Sequence, residues 1–238
     1  DLNGVVAVIN TPFTSEDKID HDSIGRYVES AIEVGVSGFL VPAMAAEINK
    51  LTFEERISIV STVIKSSNNR TLVIGGASGT SQAERINFVN ELESLGCHGV
   101  LVSIPFEDEK KYTTHIEEIA KEVSTFLVLQ DWDFHGYGIP LNVIVSLFKR
   151  IDVFKSLKVE VVPAGKKYSD VIAATKGNLH VSGGWASSQM IEALDRGVHT
   201  FMSTIMHKLY KKIFDYHQSG NREKAKELFQ KIVPVLAF

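Results

Sequence analysis

The segment 153–158, Val-Phe-Lys-Ser-Leu-Lys, carries two lysines, and their spacing separates them. Side chains alternate along an extended strand, so Phe154, Ser156 and Lys158 share one face and Lys155 takes the other. Lys158 stands at the end of the run and Lys155 near its start. Withdrawing an ammonium from water favours the neutral amine. A neutral lysine can attack a ketone to form an imine, an electron sink for making or breaking a C–C bond. Spacing alone also allows, and by itself favours, a lysine that reaches solvent along its aliphatic stem or pairs with Glu160.

Other chemistry-bearing residues carry weaker signals. Asp131, Asp133 and His135 alternate, so an extended loop could turn them one way as metal ligands. That spacing is generic, and no metal is expected. His98 falls at the start of a strand, away from strand-end chemistry, and reads as structural. Cys97 has no basic neighbour beyond His98 and is expected to be inert. Gly75-Gly76 fits either a close ligand approach or tight packing. Lys110-Lys111 and Lys166-Lys167 read as solvated helix starts.

The elements that must position these groups follow from patterning. Short β-branched runs alternate with longer amphipathic stretches. Strands are expected near 4–9, 37–41, 71–75, 98–102, 126–130, 153–158, 178–182 and 198–202. Helices are expected near 20–35, 52–66, 80–95, 109–123, 140–150, 165–176, 186–195 and 203–218, with a last one near 221–235. Thr52 with Glu55 three residues on reads as a capping box. Eight strand–helix units imply a parallel sheet covered by helices, and eight is the count that closes a (β/α)₈ TIM barrel. A doubly wound open sheet is the alternative, but its Gly-rich first turn is missing: Asn10-Thr11-Pro12-Phe13 stands there. The expected organisation is one barrel over 1–218 and a short C-terminal helical extension over 219–238.

Composition fits a small-molecule protein. The 238 residues are 44% hydrophobic, enough for one sizeable core, and the formal net charge is −4. No basic run points to nucleic acid or to a membrane surface, so neither is expected as a partner. The apolar runs are strand-sized, and no signal-peptide pattern is visible. One cysteine excludes an intrachain disulfide and fits a cytoplasmic location.

Active sites of parallel barrels gather at the C-terminal ends of the strands. The residues expected there include Thr11, then Met44, Ala45 and Glu47, then Gln130 and Asp131, then Lys158, then Ser182-Gly183-Gly184-Trp185. In this order the chain resembles the dihydrodipicolinate synthase / N-acetylneuraminate lyase family of class I aldolases, from about Val5 to Leu236. Thr11-Pro12-Phe13 is similar to the family's TPF turn. Glu47, Leu51-Thr52 and Glu54-Glu55-Arg56 are similar to its GTTGE-x-x-x-L-[ST]-x-x-E-R segment. Gly96-Cys97-His98-Gly99-Val100-Leu101 with Pro105 resembles GADGVLV…P, and Ser182-Gly183-Gly184 resembles SGDD. Lys158 falls where the family's imine-forming lysine lies.

The departures narrow what the resemblance implies. Where the family has two hydroxyl residues beside the pyruvate carboxylate, this chain has Met44 and Ala45, leaving backbone N–H groups to hold a carboxylate. The better-known members carry a Tyr-Asn-x-Pro after strand five, whose tyrosine moves protons. Gln130-Asp131-Trp132-Asp133 stands in its place, and Lys158-Val159-Glu160 with Pro163 is similar to the Lys-x-Glu-x-x-Pro pattern of a divergent branch. Asp131 is the first candidate to replace the tyrosine, and Tyr137 the second. Asp131 could also be a structural carboxylate, and Tyr137 a packed loop aromatic. Gln130 and Gly183 are expected at the substrate, with Thr11 and Glu47 behind it, Glu47 fixing the strand-two loop by hydrogen bonds.

The resemblance thus implies a lysine-imine lyase, aldolase or related dehydratase acting on pyruvate or a 2-keto-3-deoxy acid, with no cofactor. The competing expectation is a divergent barrel that binds a 2-oxo acid with little or no turnover. The resemblance also implies a homo-oligomer, a dimer or tetramer, although family members usually have a longer C-terminal helical region than 221–238 provides, which leaves truncation open.

Overall fold

The computed structural model describes residues 2–184 and 188–236. Eight strands alternate with helices: β1 (Gly4–Val8), α1 (His21–Val34), β2 (Gly38–Val41), α2 (Phe53–Ser67), β3 (Leu72–Gly76), α3 (Gln82–Ser94), β4 (Gly99–Ser103), α4 (Glu109–Glu122) and β5 (Leu127–Asp133). The second half continues with α5 (Leu141–Arg150), β6 (Phe154–Val161), α6 (Ala164–Ala174), β7 (His180–Gly183), α7 (Met190–Asp195), β8 (Thr200–Ser203), α8 (His207–Gln218) and α9 (Arg222–Leu236). Every neighbouring pair is parallel and β8 returns to β1, so the sheet closes as the expected barrel. The first residues of the helix expected over 186–195, Ala186 and Ser187, lie outside the described residues, as do Trp185, Ala237 and Phe238.

Strand alternation splits the core in two. Val6, Val8, Leu40, Ile74, Leu101, Val128 and Met202 fill the barrel interior. Their chain neighbours, such as Val5, Ala7, Leu129 and Val159, face the helices. Local signals set the helix starts. Thr52 and Glu55 form the expected capping box, and Asp20, Ser81 and Asp108 cap α1, α3 and α4 through their side chains. Met206 adopts φ 55°, so α8 begins at His207 rather than at 203. Extension α9 packs on α8, burying Ala225 and Ile232, and Arg222 binds Asp195 at the end of α7. No described helix is long and apolar enough to cross a membrane.

Two features of β5 and β6 depart from the expected elements. Both run past their expected ends, to Asp133 and Val161, so the residues after Gln130 and Lys158 stay in the sheet. At the start of β6 the pairing slips: Leu127 opposes Phe154, but Val128 opposes Ser156. The skipped Lys155 is exposed, and the strand rotates about it, as at a bulge. Phe154 therefore packs outward on Phe148 of α5, whereas Ser156 and Lys158 turn inward. The expected single face for these three residues is corrected at Phe154 alone.

The barrel floor is polar. His180 lies between the hydroxyls of Ser156, 2.8 Å away, and Thr200, 3.0 Å away, and its ring stacks on His199. Burial, reinforced by His199, lowers the His180 pKa from 6.5 to about 4. Unfolding then takes up a proton at intermediate pH. This contribution is complete above about pH 6.5 and is lost as pH falls towards 4, roughly 3 kcal/mol in all. His180→Gln is accordingly expected to flatten the fall of the thermal midpoint between pH 6.5 and 4, measured by calorimetry against the parent chain.

Candidate active site

Lys158 enters the barrel mouth from β6. It pairs in register with Gln130 on β5 and Ser182 on β7, and only 6% of its surface is exposed. Two residues on, the same alternation turns Glu160 inward. Its Oε2 lies 3.5 Å from Lys158 Nζ and accepts a hydrogen bond from the Gln130 side-chain amide. The amine, carboxylate and amide thus form one cluster on two adjacent strands. A Cβ on Gly184 would overlap Glu160 Oε1 at 1.9 Å, so glycine there makes room for the carboxylate.

The cluster opens into a cavity of about 440 Å³ at the C-terminal end of the barrel. Val8, Ala43, Met44, Ala45 and Met202 line one part of it, Trp132 and Phe134 another, and Thr204 adds a hydroxyl. Trp132 and Phe134 meet edge to face, with ring centroids 4.8 Å apart. Met44 and Ala45 belong to a 3₁₀ turn, Met44–Ala46, after β2. Thr11 donates to the Ala46 carbonyl, 2.8 Å away, and so fixes that turn. Glu47 does less than expected: its side chain is at the surface with Lys50, 2.9 Å away. Arg56 secures the loop instead, donating to the carbonyls of Ile48 and Ser78 at 2.5 and 3.1 Å.

Both expected replacements for the tyrosine lie elsewhere. Asp131 follows Gln130 and must face the opposite way. It is fully buried between sheet and helices, 2.8 Å from Lys167 Nζ, and accepts from the Ile139 amide at 2.9 Å. Burial raises its carboxyl above the ordinary range and lowers the Lys167 ammonium, while each charge pulls the other back. Lys167 also donates to the Tyr137 and Ile139 carbonyls, and these two acceptors together with the Asp131 carboxylate fit a charged ammonium. This corrects the expectation of a solvated Lys167. The Tyr137 hydroxyl donates to Asp170, 2.7 Å away, and burial pushes its pKa up.

Gly183 is corrected in the same way. Its missing Cβ would face Phe201 and the Tyr168 hydroxyl, at 2.8 and 3.0 Å, so it accommodates the helix layer rather than the cavity. Asp133 is spent on its own loop, accepting from the His135 and Gly138 amides, and no group of three metal-binding side chains gathers among the described residues. The Val73 amide donates to His98, a structural role, and burial pushes the Cys97 thiol up to about 12. Glu160, Trp132, Phe134 and Met202 line the cavity without having been singled out in the sequence as site residues. Alternation carried two residues beyond Lys158 and Gln130 locates the first two of these.

Known proteins agree with this architecture. The chain is 26% identical to a 4-hydroxy-tetrahydrodipicolinate synthase of Methanococcus maripaludis, covering 99% of this chain and 82% of that one. It is 25% identical to the synthase of the same name from a Hydrogenobaculum species, over 95% and 79%. Among solved structures, the 4-hydroxy-tetrahydrodipicolinate synthase of Methylacidiphilum fumariolicum superposes with a TM-score of 0.93 at 21% identity, over 100% of this chain and 80% of that one. A dihydrodipicolinate synthase of Thermotoga maritima gives 0.91 at 23%, over 99% and 82%. The model of the dihydrodipicolinate synthetase family matches residues 1–238. The chain therefore belongs to the dihydrodipicolinate synthetase family, whose members are lyases and synthases that form a lysine imine.

Proposed function

We propose that this protein is a class I lyase or aldolase in which Lys158 forms an imine with pyruvate or a related 2-oxo acid. The observation that carries the reading is the Lys158 amine, withdrawn from solvent at the barrel mouth and open to a cavity. The amine attacks the ketone carbon, a C=N bond forms, and the ketone oxygen leaves as water. The imine then draws electrons from the adjacent carbon as a C–H or C–C bond breaks. The carboxylate of the oxo acid lies against the backbone of the Met44–Ala45 turn, where the small Ala45 side chain permits close approach.

Glu160 takes the part first assigned to Asp131. At 3.5 Å from the reacting nitrogen it is placed to accept the proton lost beside the imine and to return it. Glu160→Gln keeps shape and removes basicity. Turnover is expected to fall by a factor on the order of 10² to 10⁴ while the trapped adduct still forms. Steady-state rates and single-turnover trapping separate the two.

The reading itself is tested by incubating the protein with pyruvate, reducing with borohydride and measuring intact and peptide masses. One adduct on the peptide containing Lys158 is expected. Absence of an adduct, or its location on Lys155 or Lys166, refutes the assignment. The hydroxyl-free Met44 and Ala45 favour a second reading, binding without efficient turnover. An adduct with no turnover on any 2-keto-3-deoxy acid would select it. A homo-oligomer working in the cytoplasm completes the proposal, and light scattering in solution checks its assembly.

A further inference from the structure

The lining of the cavity is unequal in its chemistry. The polar groups cluster on one side: Lys158, Gln130 and Glu160, already engaged with one another. The remainder is almost wholly apolar, with Met44, Trp132 and Phe134 prominent. These three are 56%, 39% and 44% exposed, large values for such side chains. The exposure is concentrated at the mouth. Among the described residues, Phe13, Val162 and Ile205 are the other large exposed hydrophobics outside α9, and each follows the C-terminal end of a strand.

Charge points the same way. Lys158 is the sole lysine or arginine among the described residues lining the cavity, and the imine uses its nitrogen. A second carboxylate on the substrate would meet no cation there and would face Glu160. Desolvating an unpaired carboxylate in such surroundings is unfavourable. An apolar group, by contrast, would cover side chains that water now wets. The volume of about 440 Å³ lies in the range of pockets that enclose ligands well above three carbons in size. The edge-to-face Trp132–Phe134 pair offers ring surface for an aromatic guest.

We propose that the part of the substrate beyond the 2-oxo acid unit is uncharged and apolar, preferentially aromatic, and sits against Trp132, Phe134 and Met44. The inference rests on the imine reading for its chemistry, in which the reaction joins or releases an aromatic aldehyde. It does not rest on that reading for the binding preference, which non-reactive ligands can report.

Two arms test it on the whole chain. In the first, calorimetry compares lactate, 3-phenyllactate and 2-hydroxyglutarate, which have no ketone and form no imine. 3-Phenyllactate is expected to bind about tenfold or more tightly than lactate, with 2-hydroxyglutarate weakest. In the second, borohydride trapping compares phenylpyruvate, pyruvate and 2-oxoglutarate, with the same order in half-saturating concentration. Trp132→Ser combined with Phe134→Ser should bring the 3-phenyllactate to lactate ratio close to one, and Met44→Thr alone should lower it. The proposal is overturned if 2-hydroxyglutarate binds as tightly as 3-phenyllactate. It is equally overturned if the double variant leaves the ratio intact while dissociating an oligomer, which would make the apolar rim a subunit contact. Failure of trapping with all three oxo acids, with the hydroxy-acid order preserved, would refute the imine reading and leave this one standing.

Discussion

Lys158→Ala is expected to abolish borohydride trapping with pyruvate and to reduce turnover by a factor on the order of 10⁴ or more. Removing a covalent nucleophile leaves only binding and electrostatic residue to catalysis. The fold should survive. The interior core of Val6, Val8, Leu40, Ile74 and their neighbours lies below the cluster, and Gln130 still donates to Glu160. Lys158→Arg sharpens the experiment, because it keeps a cation beside Glu160 but its guanidinium stays protonated and cannot condense with a ketone to form an imine. If Lys158→Arg still yields an adduct, another lysine is the nucleophile. If both variants lose the adduct and retain a cooperative thermal transition, loss of the amine and not of the barrel is responsible.

The second large effect concerns stability. Lys167→Met should destabilise the chain by about 3–5 kcal/mol, because Asp131 would remain buried with its charge uncompensated. The Tyr137 and Ile139 carbonyls would lose a donor as well. Asp131→Asn combined with Lys167→Met should recover a good part of that loss, since both charges then leave together. Urea unfolding at neutral pH measures each step. Trapping on the folded fraction adds a functional readout: the Lys167→Met adduct with pyruvate is expected to remain on Lys158. Its disappearance would mean that the pair behind the sheet governs the chemistry in front of it.

The barrel was legible because its signals are local and repeated. Eight hydrophobic runs, the capping box at Thr52 and the helix periods each act within a few residues. Lys158 was legible through parity and position at a strand end. Asp131 was misplaced because the strand was expected to end at residue 130, which freed the following residues to turn either way. In fact β5 continues to Asp133, and strict alternation sends Gln130 and Trp132 inward and Asp131 outward. Lys167 was misread because the start of α6 tucks under the Tyr137–Ile139 loop, a tertiary contact with no sequence period. Gly183 and Gly184 are adjacent and identical in type, so only the neighbours of each, Phe201 for one and Glu160 for the other, distinguish their roles.

The slip at Lys155 has a consequence for how this site can change over time. One surplus residue at the foot of β6 decides which half of the strand becomes the reactive half. Were Lys155 to pair with Val128 in a regular ladder instead of being skipped, the two sets would exchange, placing Leu157 and Val159 in the cavity and driving Lys158 and Glu160 into the greasy layer under α5 and α6. Amine and carboxylate therefore move as a unit. Point substitutions can tune the guest that the mouth accepts, but a frame change of one residue at this strand extinguishes nucleophile and base together.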